Sequence, residues 1–289
     1  MRVIVLGASG QIGSIIYDGL KERHHVTGTS RKRRADLIQF DPFRDDWTVL
    51  GKADVLINCV GQIESTNTSS FHHIHVELTK RIIERRQEVG TPAIIQISAL
   101  GASAKHQVEF LRTKGLADDL MLQHPDTAVV RPSIVCTHRT MIVKKMIMLF
   151  NLSRLFFGVV PVPQGFLQTR IQPVMPEDLV DLVEKMCFDR SQRIIHAVGS
   201  EPISFREIIQ IMTESKHRRL RIIQVPKPMA DVIVKDLVSR IIPKVISSQQ
   251  YELLFQDNVA DAGMAEQILD RQLKSTREFF KNEFTYAND

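Results

Sequence analysis

The chain has 289 residues, of which 43% are hydrophobic and 25% are charged. This composition is typical of a folded protein and excludes an intrinsically disordered chain, and the length suits one large α/β domain with a smaller region appended. The formal net charge of +5 is too small to indicate nucleic-acid binding. A cofactor phosphate or an anionic membrane surface would account for it equally well.

The three cysteines, Cys59, Cys136 and Cys187, are few and have no CxxC spacing. They predict reduced thiols in the cytoplasm and no zinc site. Glycines follow the first apolar residues too early for a secretory signal, and no run of 18 apolar residues indicates a membrane span. We therefore expect a cytoplasmic protein that binds no metal, with attachment to the periphery of a membrane as a second location.

The first half of the chain alternates apolar strands with amphipathic helices. The predicted elements are a strand at 2–6, a helix at 11–23, strands near 25–29, 37–40 and 53–58, a helix at 76–89, a strand at 93–97, a helix at 108–123 and a strand at 127–131. Strand, helix and strand in this rhythm predict an α/β fold: a Rossmann-type, doubly wound parallel sheet with helices on both faces.

The pattern changes after Thr137. The sequence predicts an apolar helix at 141–157, a loop at 158–165, a helix opening at 173–180, a strand at 193–198, a capping box at 204–207 that opens another helix, a strand at 220–225, and helices at 229–242, 249–255 and 276–284. We therefore predict a dinucleotide-binding domain at 1–137 and a smaller, mixed substrate-type region at 138–289. A return segment, about 168–198, is expected to rejoin the first domain.

A glycine-rich loop joins the first predicted strand to the first helix. Gly7 permits a tight turn, Gly10 lets the backbone approach a pyrophosphate, and Gly13 lets the helix pack closely on the strand. The free N–H groups at the start of the helix favour phosphate. The cofactor contacts expected in this loop are Gly7, Ser9, Gly10, Gln11, Ile12 and Gly13. The spacing is GxxGxxG rather than GxGxxG, and a turn without a ligand is the alternative.

The residues that follow the second strand bear on which dinucleotide binds. NAD-selective sites place a carboxylate there for the ribose 2′-hydroxyl, but no Asp or Glu occurs between Glu22 and Asp36. Arg31, assisted by Ser30 and Arg33, could instead hold a 2′-phosphate through charge-assisted hydrogen bonds. This favours NADP(H) over NAD(H), and a solvated basic loop is the alternative.

Several motifs now carry a family resemblance. They are GASGQIG at 7–13, NCVG at 58–61, ISALGA at 97–102, FLRTK at 110–114, VRPS at 130–133 and IQPVMPEDL at 171–179. The chain resembles the extended and atypical short-chain dehydrogenases, a group that is similar to the NAD-dependent epimerases and dehydratases. Within them it is most similar to the branch that contains the NAD(P)-binding accessory subunit of respiratory complex I and its bacterial relatives. The resemblance covers about residues 1–215.

The resemblance implies further cofactor contacts. Asp41 would lie near the adenine, Val60 and Gly61 along the adenosine ribose, and Ser98, Lys114, Pro132 and Ser133 on the nicotinamide side. The strand ends of a parallel sheet converge on one crevice, which is consistent with this set. Asn58 could either join the set or cap its strand.

The resemblance also exposes a missing residue. Active members of the superfamily use Ser, Tyr and Lys, and the phenol exchanges a proton with the substrate as hydride moves. Here Ser98 and Lys114 fit the pattern, but Phe110 stands at the tyrosine position and has no proton to give. His106 would share the helix face of Phe110 if the helix extended that far back, and could then serve as the acid; an exposed histidine at the helix start is the alternative.

Two main functions follow. The first is an NADP(H)-binding protein with a degenerate active site and a structural or sensing role. The alternative is an active NADP(H)-dependent oxidoreductase, or a nucleotide-sugar epimerase/dehydratase-like enzyme, that acts on an unknown small molecule through an unusual acid. The basic, apolar segments 141–157 and 229–246 additionally indicate a protein or membrane-surface partner, although packing within the second region explains them as well. No nucleic-acid partner is expected.

Overall fold

A computed structural model describes residues 1–62, 70–90, 92–137, 147, 158–216, 220–232 and 248–286, the last range without the side chains of 248–250 and 286. The predicted helix at 141–157, apart from residue 147, and most of the segment 229–246 lie outside these residues. Within them, no helix is long and apolar enough to cross a bilayer.

The described strands are β1 (Arg2–Leu6), β2 (His25–Ser30), β3 (Ile38–Gln39), β4 (Val55–Asn58), β5 (Ala93–Ile97), β6 (Thr127–Pro132), β7 (Val159–Pro163), β8 (Arg170–Ile171), β9 (Ile194–Ala197), β10 (Ile203–Ser204) and β11 (Arg221–Val225). The described α-helices are α1 (Gln11–Lys21), α2 (Leu78–Arg85), α3 (Glu109–Met121), α4 (Pro176–Phe188), α5 (Phe205–Ser215), α6 (Lys227–Val232), α7 (Ser248–Leu253), α8 (Gly263–Leu269) and α9 (Thr276–Tyr286).

The chain divides into two compact units. The first unit comprises Met1–Ser133, Pro176–Ala197 and Asp261–Leu273. The second comprises Ile134–Met175, Val198–Ala260 and Lys274–Asp289. The segment 261–273, which the sequence analysis placed with the C-terminal region, therefore belongs to the first unit.

The first unit contains a seven-stranded sheet in the order β3-β2-β1-β4-β5-β6-β9, and every neighbouring pair is parallel. This confirms the predicted Rossmann-type fold. Helix α1 packs against α4 and α2 packs against α3. The strand order reverses between β1 and β4, and ligands of open parallel sheets bind at such a switch point, outside the carboxyl ends of the strands.

The core of the first unit explains why these segments form strands. Ile4, Leu56 and Ile94 from three adjacent strands are almost completely buried in one apolar cluster with Trp47. Apolar side chains throughout a strand are typical of a parallel sheet that is covered on both faces. Burial of these side chains therefore stabilises the sheet, and the polar residues lie in the loops that follow the carboxyl ends of the strands.

The second unit is built around two small sheets. β8 and β10 pair antiparallel, and β7 and β11 pair parallel. Helices α5 and α9 share a core of Phe205, Ile208, Met212, Phe280 and Phe284.

Two sequence predictions for this unit have different outcomes. The predicted capping box is present, since the Ser204 hydroxyl accepts from the Glu207 N–H and the Glu207 carboxylate accepts from the Ser204 N–H. The predicted loop at 158–165 was wrong, because Val159–Pro163 forms β7. Proline is compatible with a strand at the edge of a sheet, because the position of its missing N–H can face solvent instead of a neighbouring strand.

Candidate functional site

The glycine loop between β1 and α1 adopts the conformation that its sequence predicts. Gly7 has φ of +77°, and its carbonyl accepts from the Gly10 N–H at 2.9 Å. A Cβ atom on Gly13 would lie 2.1 Å from the Gly7 carbonyl oxygen, so only glycine fits there. Helix α1 begins at Gln11 with no acidic residue in its first turn. Its first N–H groups therefore meet no negative side chain that would repel a phosphate.

The end of β2 lies against this loop. The Ser30 hydroxyl donates to the Ser9 hydroxyl at 2.9 Å and accepts from the Lys32 N–H at 3.2 Å. Arg31 and the three basic residues after it are exposed. The structure thus brings Ser9 and Ser30 together and leaves the Arg31 guanidinium free to meet an anion in solvent.

The strand ends on the other side of the loop are also close. A Cβ atom on Gly7 would lie 3.0 Å from Cγ2 of Val60, so the glycine loop packs directly against the residues that follow β4. Asn58 is buried; its amide donates to the Gln96 side chain at 2.8 Å, and its oxygen accepts from the Val60 N–H at 3.1 Å. Of the two alternatives for Asn58, this geometry is that of a cap at the end of β4.

Asp41, Pro132 and Ser133 are held by hydrogen bonds within the protein. The Asp41 carboxylate accepts from the Phe43 N–H at 3.0 Å, which forms a turn after β3. The Pro132 carbonyl accepts from the Leu100 N–H, and the Ser133 N–H donates to Ala197. These bonds fix the strand ends, and contact of Asp41, Pro132 and Ser133 with a cofactor stays a prediction.

Ser98 lies in a buried polar network. Its hydroxyl donates to Asp118 at 2.8 Å, and Arg131 donates to the same carboxylate oxygen at 2.9 Å. Burial raises the pKa of Asp118, and Arg131 opposes this effect. Because its single proton is engaged by Asp118, the Ser98 hydroxyl can accept a hydrogen bond from a ligand but has no proton to donate.

Lys114 is buried on α3. Its ammonium donates to the Ile97 carbonyl at 2.9 Å, and burial lowers its pKa. A Cβ atom on Gly61 would lie 3.2 Å from the Lys114 Nζ, which places the ammonium directly beside the residues that follow β4. The structure therefore brings Gly61 and Lys114 together, although the resemblance placed them at different parts of the cofactor, and contact of either with a cofactor stays a prediction.

Phe110 is packed between two other rings. Its ring meets that of His75 edge to face, at 5.7 Å between centroids, and that of Phe71 at 6.0 Å. His106 does not share its helix face, because α3 begins at Glu109 and the Nδ1 atom of His106 accepts from the Val108 N–H. The condition under which His106 was considered as the acid is therefore not met.

His75 was missed by the sequence analysis, which predicted a helix only from residue 76. It lies in a π-helical turn, His73–Glu77, and is only 1% exposed. A signal was available, since Phe71, His75, Leu78 and Ile82 recur at the spacing of a buried helix face. Burial, followed by the charge of Lys114, lowers the pKa of His75 to about 2, so the ring is neutral at physiological pH.

With this geometry in view, comparison with known proteins is informative. Residues 3–115 match the sequence profile described as the NAD dependent epimerase/dehydratase family. These residues are a domain of that family. The match confirms the predicted resemblance and supports a nicotinamide dinucleotide as the cofactor, which the glycine loop and the groups around it fit.

Two relatives extend the similarity beyond this domain. The 40 kDa subunit of mitochondrial NADH-ubiquinone oxidoreductase from Neurospora crassa is 23% identical over 277 residues, which are 89% of this chain and 71% of that protein. Subunit 9 of the mitochondrial NADH dehydrogenase [ubiquinone] 1 alpha subcomplex from Arabidopsis thaliana is 26% identical over 76% of this chain and 56% of its own length. Beyond residues 3–115 the chain thus resembles these two subunits at low identity.

Solved structures share the fold over nearly the whole chain. MoeE5 in complex with UDP-glucuronic acid and NAD has a TM-score of 0.73 at 15% identity, and covers 99% of each chain. RMD from Pseudomonas aeruginosa complexed with NADPH has a TM-score of 0.67 at 12% identity, with the same coverage. At such low identity these likenesses establish the fold and not the ligand.

Proposed function

We propose that the protein binds NADP(H) at the carboxyl edge of the sheet in its first unit and uses it as a structural or sensing ligand rather than as a redox partner in turnover. One observation carries the second part: Phe110 lies at the tyrosine position and has no proton to give, and the described side chains around Lys114 do not replace the missing acid. The proton of Ser98 is engaged by Asp118, burial raises the pKa of the Cys59 thiol to about 12, and burial lowers the pKa of His75 to about 2, so that no imidazolium is present. Carbonyl reduction by hydride needs such a donor at the substrate oxygen.

The preference for NADP(H) is supported by the end of β2. In Rossmann-type sheets with this strand order, a dinucleotide whose pyrophosphate lies at the start of α1 has its adenosine ribose near the end of β2, which supports a contact with Arg31. Arg31 is exposed there, and no carboxylate follows β2 before Asp36 to favour a free 2′-hydroxyl. Arginine suits this task because its planar guanidinium can bind two phosphate oxygens at once.

Calorimetric titration with NADPH and NADH tests the proposal. We expect NADPH to bind at least tenfold more tightly, and Arg31→Ala to remove most of that difference by weakening NADPH alone, since a hydrogen bond to a charged group contributes about 1.5–3 kcal/mol. Arg206→Ala is the matched control, because it removes the same charge from an exposed position in the second unit. Equal affinities of the parent protein for the two cofactors would contradict the preference.

An active enzyme is the second candidate. The solved structures that share the fold include complexes of a UDP-glucuronic acid 4-epimerase and of MoeE5 with UDP-glucuronic acid and NAD, which supports an epimerase/dehydratase-like activity on a nucleotide sugar. Incubation with UDP-sugars, and with carbonyl compounds plus NADPH, separates the two candidates. Turnover by the parent protein would favour the enzyme.

We also propose that the protein acts within an assembly, because both relatives described above are named as subunits. The experiment is native gel electrophoresis of a gentle extract of the source cells, followed by detection of this chain. An assembly predicts migration well above the 33.0 kDa of the chain, whereas migration at that mass would contradict the proposal.

A further inference from the structure

The hydrogen bonds of His75 assign the position of its proton. Its Nδ1 atom lies 2.8 Å from the Thr113 hydroxyl oxygen. That hydroxyl donates its own proton to a main-chain carbonyl of α3, at Glu109 or Phe110. Because a hydroxyl has one proton, Thr113 accepts from His75 when it donates to that carbonyl, and we infer that Nδ1 carries the hydrogen and Nε2 a bare lone pair.

This lone pair is buried without a partner. Within the part of the chain that the structure describes, the buried polar side-chain atoms that lack a hydrogen bond are Nε2 of His75 and Oδ1 of Asp118. An unsatisfied buried acceptor is costly, and native proteins rarely leave one unexplained. The aromatic rings of Phe71 and Phe110 pack against the imidazole, so neither of them offers a donor.

Lys114 has the donors that these acceptors lack. An ammonium has three N–H bonds, and the described residues provide one acceptor, the Ile97 carbonyl. Lys114 Nζ and His75 Nε2 approach the same point, since a Cβ atom on Gly61 would lie 3.2 Å from the first and 3.9 Å from the second. A lysine side chain is flexible enough for its ammonium to shift within such a gap.

We propose that His75 is a positioning residue for Lys114, whose ammonium donates a hydrogen bond to the bare Nε2 atom beneath Gly61. Nε2 is shielded from solvent, so His75 acts on a ligand through Lys114 and not by contact. The contact between His75 and Lys114 stands by itself, whereas its effect on cofactor binding rests on the proposed function.

The charges around Lys114 are consistent with this role. Asp118 on α3 and Cys59 after β4 both raise its pKa, which burial lowers, and Asp118 is itself bonded to Ser98 and Arg131. Among the described residues, His75 is the remaining titratable group beside the ammonium, and burial, followed by the charge of Lys114, keeps the imidazole neutral. A neutral acceptor stabilises the ammonium without competing for its proton.

Two substitutions separate the two nitrogens of the ring. In His75→Asn the amide can still donate to Thr113 but does not reach the Nε2 position. In His75→Gln the amide oxygen reaches the Nε2 position, but the bond to Thr113 is lost. The titration of Lys114 is followed through its ¹³Cε resonance in protein labelled with ¹³C-lysine, with Lys114→Met as the assignment control.

We expect His75→Asn to lower the titration midpoint of Lys114 by about one pH unit, since the lost bond involves a charged group, and His75→Gln to keep it within a few tenths. Equal midpoints in the parent and in both variants would overturn the proposal. A second measurement needs no change at His75: the ¹⁵Nε2 resonance of His75 should move when Lys114→Met removes the donor, and an unmoved resonance would also overturn it.

Cofactor binding gives a separate outcome. If NADPH binds as proposed, its affinity should fall several-fold in His75→Asn and be restored in His75→Gln. A parent protein that fails to bind NADPH would refute the proposed function, while the titration of Lys114 would still decide the role of His75.

Discussion

The two sides of the sheet edge use their polar groups differently. At the ends of β1 and β2, which we call the loop side, α1 begins with no acidic residue in its first turn and the basic residues 31–34 are exposed. At the ends of β4 and β5, the Lys114 side, Asn58, Ser98 and Lys114 are buried and bonded to neighbouring protein groups. The loop side can therefore offer hydrogen-bond donors to a ligand, whereas most polar groups of the Lys114 side are already bonded within the protein.

This difference indicates that the sequence keeps the groups needed to bind a dinucleotide but not those needed to transfer a proton. Binding a dinucleotide requires backbone N–H groups and a cation, and the loop side has both. Proton transfer requires a titratable group of suitable pKa at the substrate, and the described part of the Lys114 side holds Phe110 and a neutral His75 where such a group is needed. Binding and catalysis are therefore separable in this fold, and substitutions on the two sides should have different effects.

The largest effect is expected from giving the Lys114 side a proton donor. Phe110→Tyr adds one hydroxyl on the helix face of Lys114, whose ammonium favours the phenolate. Since a positioned general acid contributes roughly 10²–10⁴-fold to rate, we expect carbonyl reduction to rise by about 10²-fold or more. NADPH oxidation with a panel of aldehydes, ketones and quinones measures it.

The control for this gain is Lys114→Met in the Tyr background, which should remove it. Efficient reduction by the parent protein would contradict the comparison, because the Lys114 side would then already contain an acid. NADPH affinity of the Phe110→Tyr variant should stay within a few-fold of the parent, since the loop side is unchanged.

The next largest effect is expected on the loop side. A Cβ atom on Gly10 would lie 3.3 Å from the Gly7 carbonyl, so the fold can admit a side chain with a small adjustment, but a branched one would block the approach of a pyrophosphate. We expect Gly10→Val to weaken NADPH binding by about a hundredfold or more in a fluorescence titration. The thermal unfolding midpoint should change little.

Gly13→Ala is the informative contrast, because its Cβ atom would lie 2.1 Å from the Gly7 carbonyl oxygen. This variant should lose stability as well as binding. Unchanged NADPH affinity in Gly10→Val would show that the dinucleotide lies elsewhere.

The smallest effect is expected where the two sides meet. Gly61→Ala would place a methyl group 3.2 Å from the Lys114 ammonium and force it to move. Such overpacking typically costs about 1–3 kcal/mol, and we expect a loss of about fivefold in NADPH affinity. In a Lys114→Met background the same substitution should cost nothing further, and an equal loss in both backgrounds would mean that Lys114 is not involved.

The sequence predicted the features that depend on local backbone rules. The glycine loop needs positive φ at Gly7 and no side chain at Gly13, and glycine is the residue that meets both requirements, so the loop can be predicted from the sequence. The capping box at Ser204 was predicted for the same reason. The parallel sheet followed from apolar runs at regular spacing.

What sequence patterns missed depends on contacts between distant residues. For His75 the spacing could indicate burial, but its packing against Phe110 and its bond to Thr113 join residues more than 30 positions apart and could not be predicted from the sequence. Strand β7 was missed because its partner β11 lies about 60 residues further along the chain. The preference for NADP(H) and the individual contacts of the predicted cofactor residues stay predictions.

Because Asp261–Leu273 belongs to the first unit, the order of synthesis and the effect of cleavage are both constrained. Within this segment, the Arg271 guanidinium binds Asp178 at 2.6 Å and Asp181 at 2.7 Å, both on α4. The polypeptide passes between the units four times before the first unit is complete at Leu273. No single cleavage can therefore release an intact half, and on the ribosome the nucleotide-binding fold stays incomplete until residues beyond most of the second unit have been synthesised.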